Sequence, residues 1–303
     1  MIFCNTEIQG KTMKFLLCLC FLSSYLLIFT NEIPIQDDHW DGQHYLNNSD
    51  LQCQWAISYI QKFQLSGYEK ILDIGCGDGR ITAKIAQAVP YGFVFGVDTS
   101  DSMLQVAQNL KNKIRLNNLD FIKRDAMNLG FESEFDFIVS FSCFHWVCDH
   151  FVALQEIEKA LKPGGKVFLY FAPDYGYDRF DFAINTVVAS SKWANYFVNF
   201  SNPLSLVTPA KFATYVEETG LLLQRLEIIT VDETFPTQVA FATWITGWLW
   251  YLQQLPKELH QEFLDDIIAC YLKYHPIDTD NKLHFIDYWI EVELLKYASN
   301  AHH

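Results

Sequence analysis

Positively charged residues are scarce in this chain. Its 303 residues include 22 Lys and Arg against 36 Asp and Glu, which gives a formal net charge of −14 at pH 7. No cluster of Lys or Arg stands out along the sequence, so the positive surface that binds nucleic-acid phosphates is missing. The composition therefore argues against DNA or RNA as a substrate or partner.

The chain also lacks a recognisable disulfide framework. Its eight cysteines are scattered, whereas small secreted folds space their cysteines as a scaffold. The densest group, Cys143–His150, contains two cysteines and two histidines. That run passes from the end of a predicted strand into the start of a helix, which should scatter its side chains. We therefore predict reduced thiols and no metal site.

What the chain does contain is a glycine-rich turn between a strand and a helix. The apolar run Lys70–Ile74 leads into Gly75, Gly77 and Gly79, and a helical pattern follows. Alternating glycines let the backbone turn sharply and approach a ligand, while the helix directs its free N–H groups at that ligand. Asp73 lies at the carboxyl end of the strand, where open parallel sheets bind ligands. The stretch predicts a nucleotide-binding turn.

The spacing of the glycines separates two classes of ligand. The dinucleotide fingerprint needs a glycine three residues after the second one, where this chain has Arg80. A bulky Arg at that point disfavours a pyrophosphate, and with it a nicotinamide cofactor. About 20 residues further on, Asp98 ends the predicted strand Phe93–Asp98, the position from which a carboxylate binds ribose hydroxyls. We expect a ligand with an unphosphorylated ribose.

Three motifs together resemble those of the class I S-adenosylmethionine-dependent methyltransferases: Asp73-x-Gly75-x-Gly77-x-Gly79, then Asp98, then Asp125-Ala126 after a third strand. The resemblance implies S-adenosylmethionine as cofactor. It implies that Asp73 and the glycine turn hold the methionine part, Asp98 the two ribose hydroxyls, and Asp125 with the Ala126 backbone the adenine edge. The expected cofactor contacts are Asp73, Gly75, Cys76, Gly77, Gly79, Asp98, Thr99, Met103, Asp125, Ala126 and Ser140. Taken singly, these residues also fit a tight turn, a helix cap at Asp98 and a turn residue at Asp125.

Two further segments resemble the carboxyl methyltransferases of the trans-aconitate and juvenile hormone acid type. The first is the spacing of Tyr45, Asn48 and Gln52 before the first strand, and the second is His145-Trp146 after the fourth. The resemblance implies that these segments meet the acceptor, with His145 and Trp146 as catalytic candidates. The other candidates for substrate contact are Tyr45, Gln52, Phe144, Trp193 and Trp244. Simple packing remains an alternative for each of them, and His145 could donate a hydrogen bond, act as a base or be structural.

The chain alternates predicted strands and helices from Lys70 to Phe171, and its strands are almost continuously apolar. That pattern predicts an α/β fold with a doubly wound, mostly parallel sheet. With the resemblance, it becomes a seven-stranded Rossmann-like sheet with an antiparallel closing strand and a helical cap. We expect a hydrophobic N-terminal segment at residues 1–36 and a methyltransferase domain at 37–303. The cap insertions are expected at about 174–216 and 237–280.

The predicted function is methyl transfer to a small molecule, on the carboxylate of an organic acid. A carboxylate is already ionised at neutral pH and needs no general base, unlike a hydroxyl. Donors such as Gln52, His145 or Arg179 would have to offset the negative charge of the protein. The alternatives are a catalytically silent S-adenosylmethionine-binding protein and transfer to a hydroxyl or an amine. The oligomeric state is left open.

The N-terminus carries an uncharged run, Phe15–Phe29, preceded by Lys11 and Lys14. The layout is that of a signal peptide, but no small-x-small cleavage site follows, and the run is shorter than the roughly 20 residues that span a bilayer. A signal, a marginal anchor and a mis-assigned start remain open. Because the cofactor is cytosolic, we expect cytoplasmic chemistry, with membrane attachment or secretion suggested by the run.

Overall fold

A computed structural model describes residues 40–176 and 179–298 of the chain. The strands of this part are β1 (Lys70–Ile74), β2 (Phe93–Asp98), β3 (Leu119–Lys123), β4 (Phe135–Phe141), β5 (Leu161–Phe171), β6 (Leu221–Phe235) and β7 (Leu283–Lys296). Its α-helices are α1 (Gly42–Asn48), α2 (Asp50–Ile60), α3 (Arg80–Ala88), α4 (Asp101–Ile114), α5 (His150–Ala160), α6 (Phe180–Val188), α7 (Pro209–Thr219), α8 (Gln238–Thr246) and α9 (His260–Tyr271).

The strands form one sheet in the order β3-β2-β1-β4-β5-β7-β6. Neighbouring strands are parallel from β3 to β5, whereas β7 runs antiparallel to both β5 and β6. The last strand of the chain thus lies between two earlier ones. This order confirms the predicted mostly parallel, seven-stranded Rossmann-like sheet with an antiparallel closing strand.

The apolar strands are buried on both faces, as their composition predicts. Leu72 and Ile74 of β1 pack on the face that carries α5 and α7, whereas Ile71 packs on the opposite face, against α2 and α3. Each face therefore has its own hydrophobic cluster. Together they hold the carboxyl ends of β1 and β4 in fixed positions.

β5 begins earlier than the predicted start at Lys166. Leu161 already pairs with Phe135, and pairing resumes at Lys166 after the Lys162–Gly165 turn. The turn therefore interrupts the register of the strand without ending it.

Helices α6, α8 and α9 form a third cluster around large rings. Phe180, Phe241 and Phe263 are its fully buried centre, and Trp193 packs against Phe263. This cluster, which we call the cap, gathers residues that follow β5 and β6 in the sequence.

One expectation about the N-terminus is corrected. Within the described ranges, no helix is long and apolar enough to cross a bilayer. This finding corrects the prediction of membrane attachment. The run Phe15–Phe29 that suggested it lies outside the described residues.

Candidate active site

The glycine turn lies between β1 and α3 and is held by close packing. Gly75 has a φ of +73°, and a Cβ there would lie 2.1 Å from the Cys143 Sγ. Gly77 also has a positive φ, of +52°, but its Cβ would meet only the Tyr45 ring, at 3.7 Å. Gly75 is thus required by packing, whereas Gly77 borders open space beneath Tyr45. A ligand can approach the backbone there.

Two buried or half-buried carboxylates lie beside this turn. The Gly77 N–H donates to Asp98 Oδ2 at 2.9 Å, and the Thr82 hydroxyl donates to Asp73 Oδ2 at 2.7 Å. Asp73 is only 2% exposed. Its burial raises its pKa to about 7, and the nearby charges of Asp98 and Asp78 act in the same direction. The Asp98 carboxylate therefore gives the space over Gly77 a negative character, and Asp73 adds charge only where it loses its proton.

The remaining cofactor candidates surround the same turn at the ends of β1 to β4. Asp125 follows β3 in a turn, where its Oδ1 accepts the Met127 N–H at 2.8 Å. Thr99 is exposed, while Met103 is buried one turn into α4. The other candidates are buried: Cys76, whose burial raises the pKa of its thiol, Ala126, and Ser140, whose hydroxyl donates to the Ile74 carbonyl at 2.8 Å.

Arg80 links the turn to the N-terminal helices. Its Nη1 lies 2.5 Å from Asp50 Oδ1, its Nη2 donates to Ser49 Oγ at 2.7 Å, and its Nε donates to Asp78 Oδ2 at 3.0 Å. A second contact joins α1 to the start of α4, because the Gly42 N–H donates to the Ser102 Oγ at 2.9 Å. α1 and the start of α2 are thereby held over the turn. In the sequence, Arg80 served only to exclude a dinucleotide, and its role in holding these helices was not predicted.

Four aromatic rings from three distant segments, Tyr45 among them, pack against one another. Trp146 and Trp250 stack at 5.2 Å between centroids, and Trp40 meets both of them edge-on at 5.4 and 5.1 Å. Trp40 also meets Tyr45 at 5.6 Å. We call Trp40, Tyr45, Trp146 and Trp250 the aromatic wall. Tyr45 and Trp146 were predicted from the sequence, but Trp40 and Trp250 were not. Only the nearness of Trp40 to Tyr45 along the chain could have indicated one of them.

His145 is a neutral hydrogen-bond donor. The Ala172 N–H donates to its Nδ1 at 3.2 Å, so the ring proton is on Nε2. Burial lowers the pKa of His145 to about 3, assisted by the charge of Arg179. The ring is therefore uncharged near neutral pH and is too weak a base to remove a proton from an acceptor.

Gln52 presents a second neutral donor. The Trp244 indole N–H donates to Gln52 Oε1 at 3.2 Å. An indole nitrogen only donates, so the amide oxygen must face Trp244 and the amide nitrogen must point away from it. On the same helix, Trp55 Nε1 donates to Glu233 of β6 at 2.6 Å, and the Tyr59 hydroxyl donates to Glu291 of β7. α2 is therefore attached to the last two strands.

Two predicted substrate contacts lie elsewhere. Phe144 is fully buried against Phe171 and Phe212, in the cluster on the α5 and α7 face. Trp193 lies in the cap, where its Nε1 donates to Asp266 at 2.8 Å. The structure does not bring either ring to the aromatic wall. In the part of the chain that is described, no group of three or more His, Cys, Asp or Glu side chains could hold a metal ion.

Comparison with known proteins supports one class of enzyme. The family model described as a methyltransferase domain matches residues 72–169, from β1 to β5. The chain is an S-adenosylmethionine-dependent methyltransferase. This methyltransferase is 24% identical over 258 residues to "Putative methyltransferase 235L" of Invertebrate iridescent virus 6, covering 85% of this chain and 92% of the relative. It is also 24% identical over 229 residues to a trans-aconitate 2-methyltransferase of Azoarcus sp. (strain BH72), covering 74% and 86% of the two chains.

A solved structure shows the same fold. Phosphoethanolamine N-methyltransferase 2 of Haemonchus contortus, in complex with S-adenosyl-L-methionine, superposes with a TM-score of 0.52 at 21% identity. The match covers 80% of this methyltransferase and 52% of that chain. S-adenosylmethionine is the cofactor of this methyltransferase, and the site fits it. The cofactor carries positive charge on its sulfonium and ammonium groups, which suits the carboxylates beside the open space over Gly77.

Proposed function

We propose that this methyltransferase acts on the carboxylate of a small organic acid. The observation that supports this most is the state of His145, an uncharged N–H donor whose other nitrogen is occupied by the Ala172 N–H. A hydroxyl or ammonium acceptor needs a group that takes its proton, whereas a carboxylate needs none. A carboxylate also accepts the hydrogen bonds that His145 Nε2 and the Gln52 amide can donate.

The nearby acids are poor candidates for a base because cations hold them. Asp287 Oδ1 lies 3.2 Å from Arg179 Nε, and Glu291 Oε2 lies 2.6 Å from Arg225 Nη1. A carboxylate oxygen that already accepts from an arginine is occupied and is not free to contact an acceptor. The neighbourhood of His145 therefore favours an acceptor that is already ionised.

On this proposal the cofactor residues keep the roles that the resemblance implies. Asp73 and the glycine turn hold the methionine part, Asp98 holds the ribose hydroxyls, and Asp125 with the Ala126 backbone holds the adenine edge. S-adenosylmethionine supplies an electrophilic methyl group on a sulfur that leaves as a neutral thioether. The protein's own task is to align the acceptor oxygen and to exclude water. The aromatic wall and the helices held by Arg80 serve that task.

The charges around the site favour an acid with a single carboxylate. Arg179 is buried, but its Nε contacts Asp181 Oδ1 at 2.9 Å as well as Asp287, and its Nη1 donates to the Pro173 carbonyl. It is thus engaged and does not offer a free cation to a second carboxylate. The aromatic wall suits an apolar or aromatic body on the acceptor.

An acceptor panel tests the proposal. The full chain is incubated with labelled S-adenosylmethionine and with monocarboxylic acids, tricarboxylic acids, phenols or amines, and base-labile ester is measured. We expect ester from monocarboxylic acids. Label transferred only to phenols or amines would contradict the carboxylate assignment.

A pair of variants locates the reaction within the fold. We expect Trp146→Ala to lower transfer to any acceptor that the panel identifies, because it removes half of the stacked pair in the aromatic wall. Phe182→Ala, which removes an exposed ring of α6, should leave transfer unchanged. Equal activities of the two variants would exclude the aromatic wall from the acceptor site.

A further inference from the structure

Trp289, on the closing strand β7, buries a polar atom that the fold itself does not use. The side chain is 7% exposed, and among the described residues its Nε1–H has no hydrogen-bond partner. Buried N–H groups are nearly always paired, so an unpaired one calls for a physical reason. Trp55, its neighbour at 5.3 Å between ring centroids, follows that rule by donating to Glu233.

The position of Trp289 follows from the register of β7. Ile290 pairs with Phe171 at the carboxyl end of β5, and the next residue of that segment, Ala172, donates its N–H to His145. Trp289 and His145 therefore meet at the edge of the sheet where ligands bind in parallel α/β folds. Their rings lie 5.4 Å apart between centroids and are almost perpendicular.

Two acids flank Trp289 on β7, and arginines hold both of them. Trp289 lies between Asp287 and Glu291, two residues away on either side and on the same face of the sheet. Each of these acids is paired with an arginine, Asp287 with Arg179 and Glu291 with Arg225. Arg179 also pairs with Asp181, and Arg225 with Glu227 and Glu293, so the arginines offset only part of the negative charge. What this stretch of β7 offers a ligand is then a neutral N–H donor beside the N–H of His145.

We propose that Trp289 is an acceptor-binding residue: its Nε1–H and the His145 Nε2–H together hold the carboxylate of the acceptor. The proposal rests on the proposed carboxylate function. A carboxylate has about four acceptor positions on two oxygens, so it can accept two N–H bonds and still direct a lone pair at the methyl group. Trp289 thereby orients the reacting oxygen without taking part in proton transfer. It also distinguishes an acid from its uncharged amide.

The first experiment observes Trp289 in the wild-type full chain. The protein is labelled with ¹⁵N in its indole groups, saturated with S-adenosylhomocysteine, and titrated with octanoate or phenylacetate, then with octanamide or phenylacetamide. We expect the acids to move the Trp289 indole proton downfield and the amides to leave it nearly unchanged. The resonance is assigned by its loss in Trp289→Phe or, should that variant not fold, by its nuclear Overhauser contact with the His145 ring.

The second experiment measures affinity. Trp289→Phe keeps an aromatic ring but removes the donor, so we expect it to weaken binding of the acid about 10- to 100-fold, as for a hydrogen bond to a charged group. Binding of the amide should change less than about threefold. Trp193→Phe is the matched control, because that indole already donates to Asp266 in the cap. It should leave both affinities unchanged.

The outcomes separate this inference from the function on which it rests. Ester formation with a Trp289 resonance that the acid does not move would overturn the role of Trp289 and leave the carboxylate function intact. Equal weakening of acid and amide in Trp289→Phe would reduce Trp289 to a packing residue, which also overturns the inference. If no acid of the panel is bound or esterified, both proposals fail.

Discussion

The cofactor side and the acceptor side of the site are made from different kinds of group. On the cofactor side, Asp73 and Asp98 surround a glycine turn that exposes its backbone. On the acceptor side, neutral N–H donors such as His145 lie beside the aromatic wall, and the nearby acids are paired with arginines. The site is therefore divided by charge. A cationic cofactor and an anionic acceptor are each met by complementary groups, even though the whole chain has a net charge of −14.

The two sides also differ in how the chain assembles them. Most of the cofactor side comes from one stretch between Asp73 and Asp125. The acceptor side joins residues as far apart as Trp40 and Trp289, which are 249 positions apart. A local backbone turn depends on nearby sequence. A wall of side chains depends on how distant segments of the chain pack together.

The largest expected effect is on the cofactor side, where the backbone itself forms the site. Gly75→Ala would place a Cβ 2.1 Å from the Cys143 Sγ at a φ of +73°. Left-handed strain of about 1–2 kcal/mol and overpacking of about 1–3 kcal/mol should together lower the free energy of unfolding by about 2–5 kcal/mol. Urea denaturation of the wild type and the variant measures this change in the free energy of unfolding.

Gly164→Ala is the matched control for that change. Gly164 has a φ of +78°, but no atom lies within 4 Å of its added Cβ. Gly164→Ala should lower the free energy of unfolding only by the left-handed strain, about 1–2 kcal/mol. Equal losses in the two variants would show that the packing of Cys143 on the turn does not constrain the site.

The next effect tests the charge of the cofactor side. Asp98→Ala should weaken S-adenosylmethionine binding by about 1.5–3 kcal/mol, because a charged acceptor of ribose hydrogen bonds is lost. Asp265→Ala, an exposed carboxylate on α9, should have no effect. Titration calorimetry of the two variants and the wild type, with S-adenosylmethionine and with NAD, measures the affinities. Binding of NAD in place of S-adenosylmethionine would overturn the assignment of the turn.

A smaller effect should appear in the pH dependence of stability. The folded pKa of Asp73, about 7, lies above the unfolded value of about 3.9. Between these values the unfolded chain loses a proton that the folded chain keeps, so the free energy of unfolding of the cofactor-free protein should fall as pH rises from about 4 to 7. Below about 4 both states are protonated and this contribution is constant.

Asp73→Asn should remove that part of the pH dependence. Thermal melting of both proteins across pH 4 to 8 provides the comparison. If the two melting curves keep a constant difference across the window, Asp73 does not titrate there.

The smallest effect is expected on the acceptor side. Since the pKa of His145 is lowered to about 3 by burial, its ring should stay neutral throughout the assay range. With cofactor saturating, the kcat/KM for the acceptor should show no inflection near pH 6.5, the ordinary value for histidine. A profile from pH 5.5 to 8.5 tests this. An inflection that disappears in His145→Gln would make His145 a titrating base. It would contradict the description of the acceptor side as a set of neutral donors.

The same contrast explains what sequence could predict. The alternating glycines and the acid at the end of β2 are local signals, so the parallel sheet and the cofactor family were predicted correctly. Phe144 and His145 show what could not be predicted from the sequence. They are adjacent in one short 3-10 turn, yet Phe144 packs into the core on the α5 face while His145 bonds to Ala172. Sequence spacing does not specify which way each side chain of such a turn points.

Trp289 was not predicted for a different reason. Trp289 reaches His145 only because Ile290 pairs with Phe171, about 120 residues earlier. The alternation along β7 indicates a strand, but it does not reveal which residue faces which on β5. Antiparallel register between distant strands is set by tertiary packing, and no local signal encodes it.

The insertion of β7 between β5 and β6 has a consequence for synthesis. The ribosome completes β5 at Phe171, but Trp289 follows only after another 118 residues, which takes roughly 6–24 s at 5–20 residues per second. Throughout that interval β5 has an open edge, which is a template for pairing with another chain. The glycine turn and its carboxylates already exist by then, whereas the acceptor side does not. The nascent protein can thus contain its cofactor residues while its sheet is still vulnerable to aggregation.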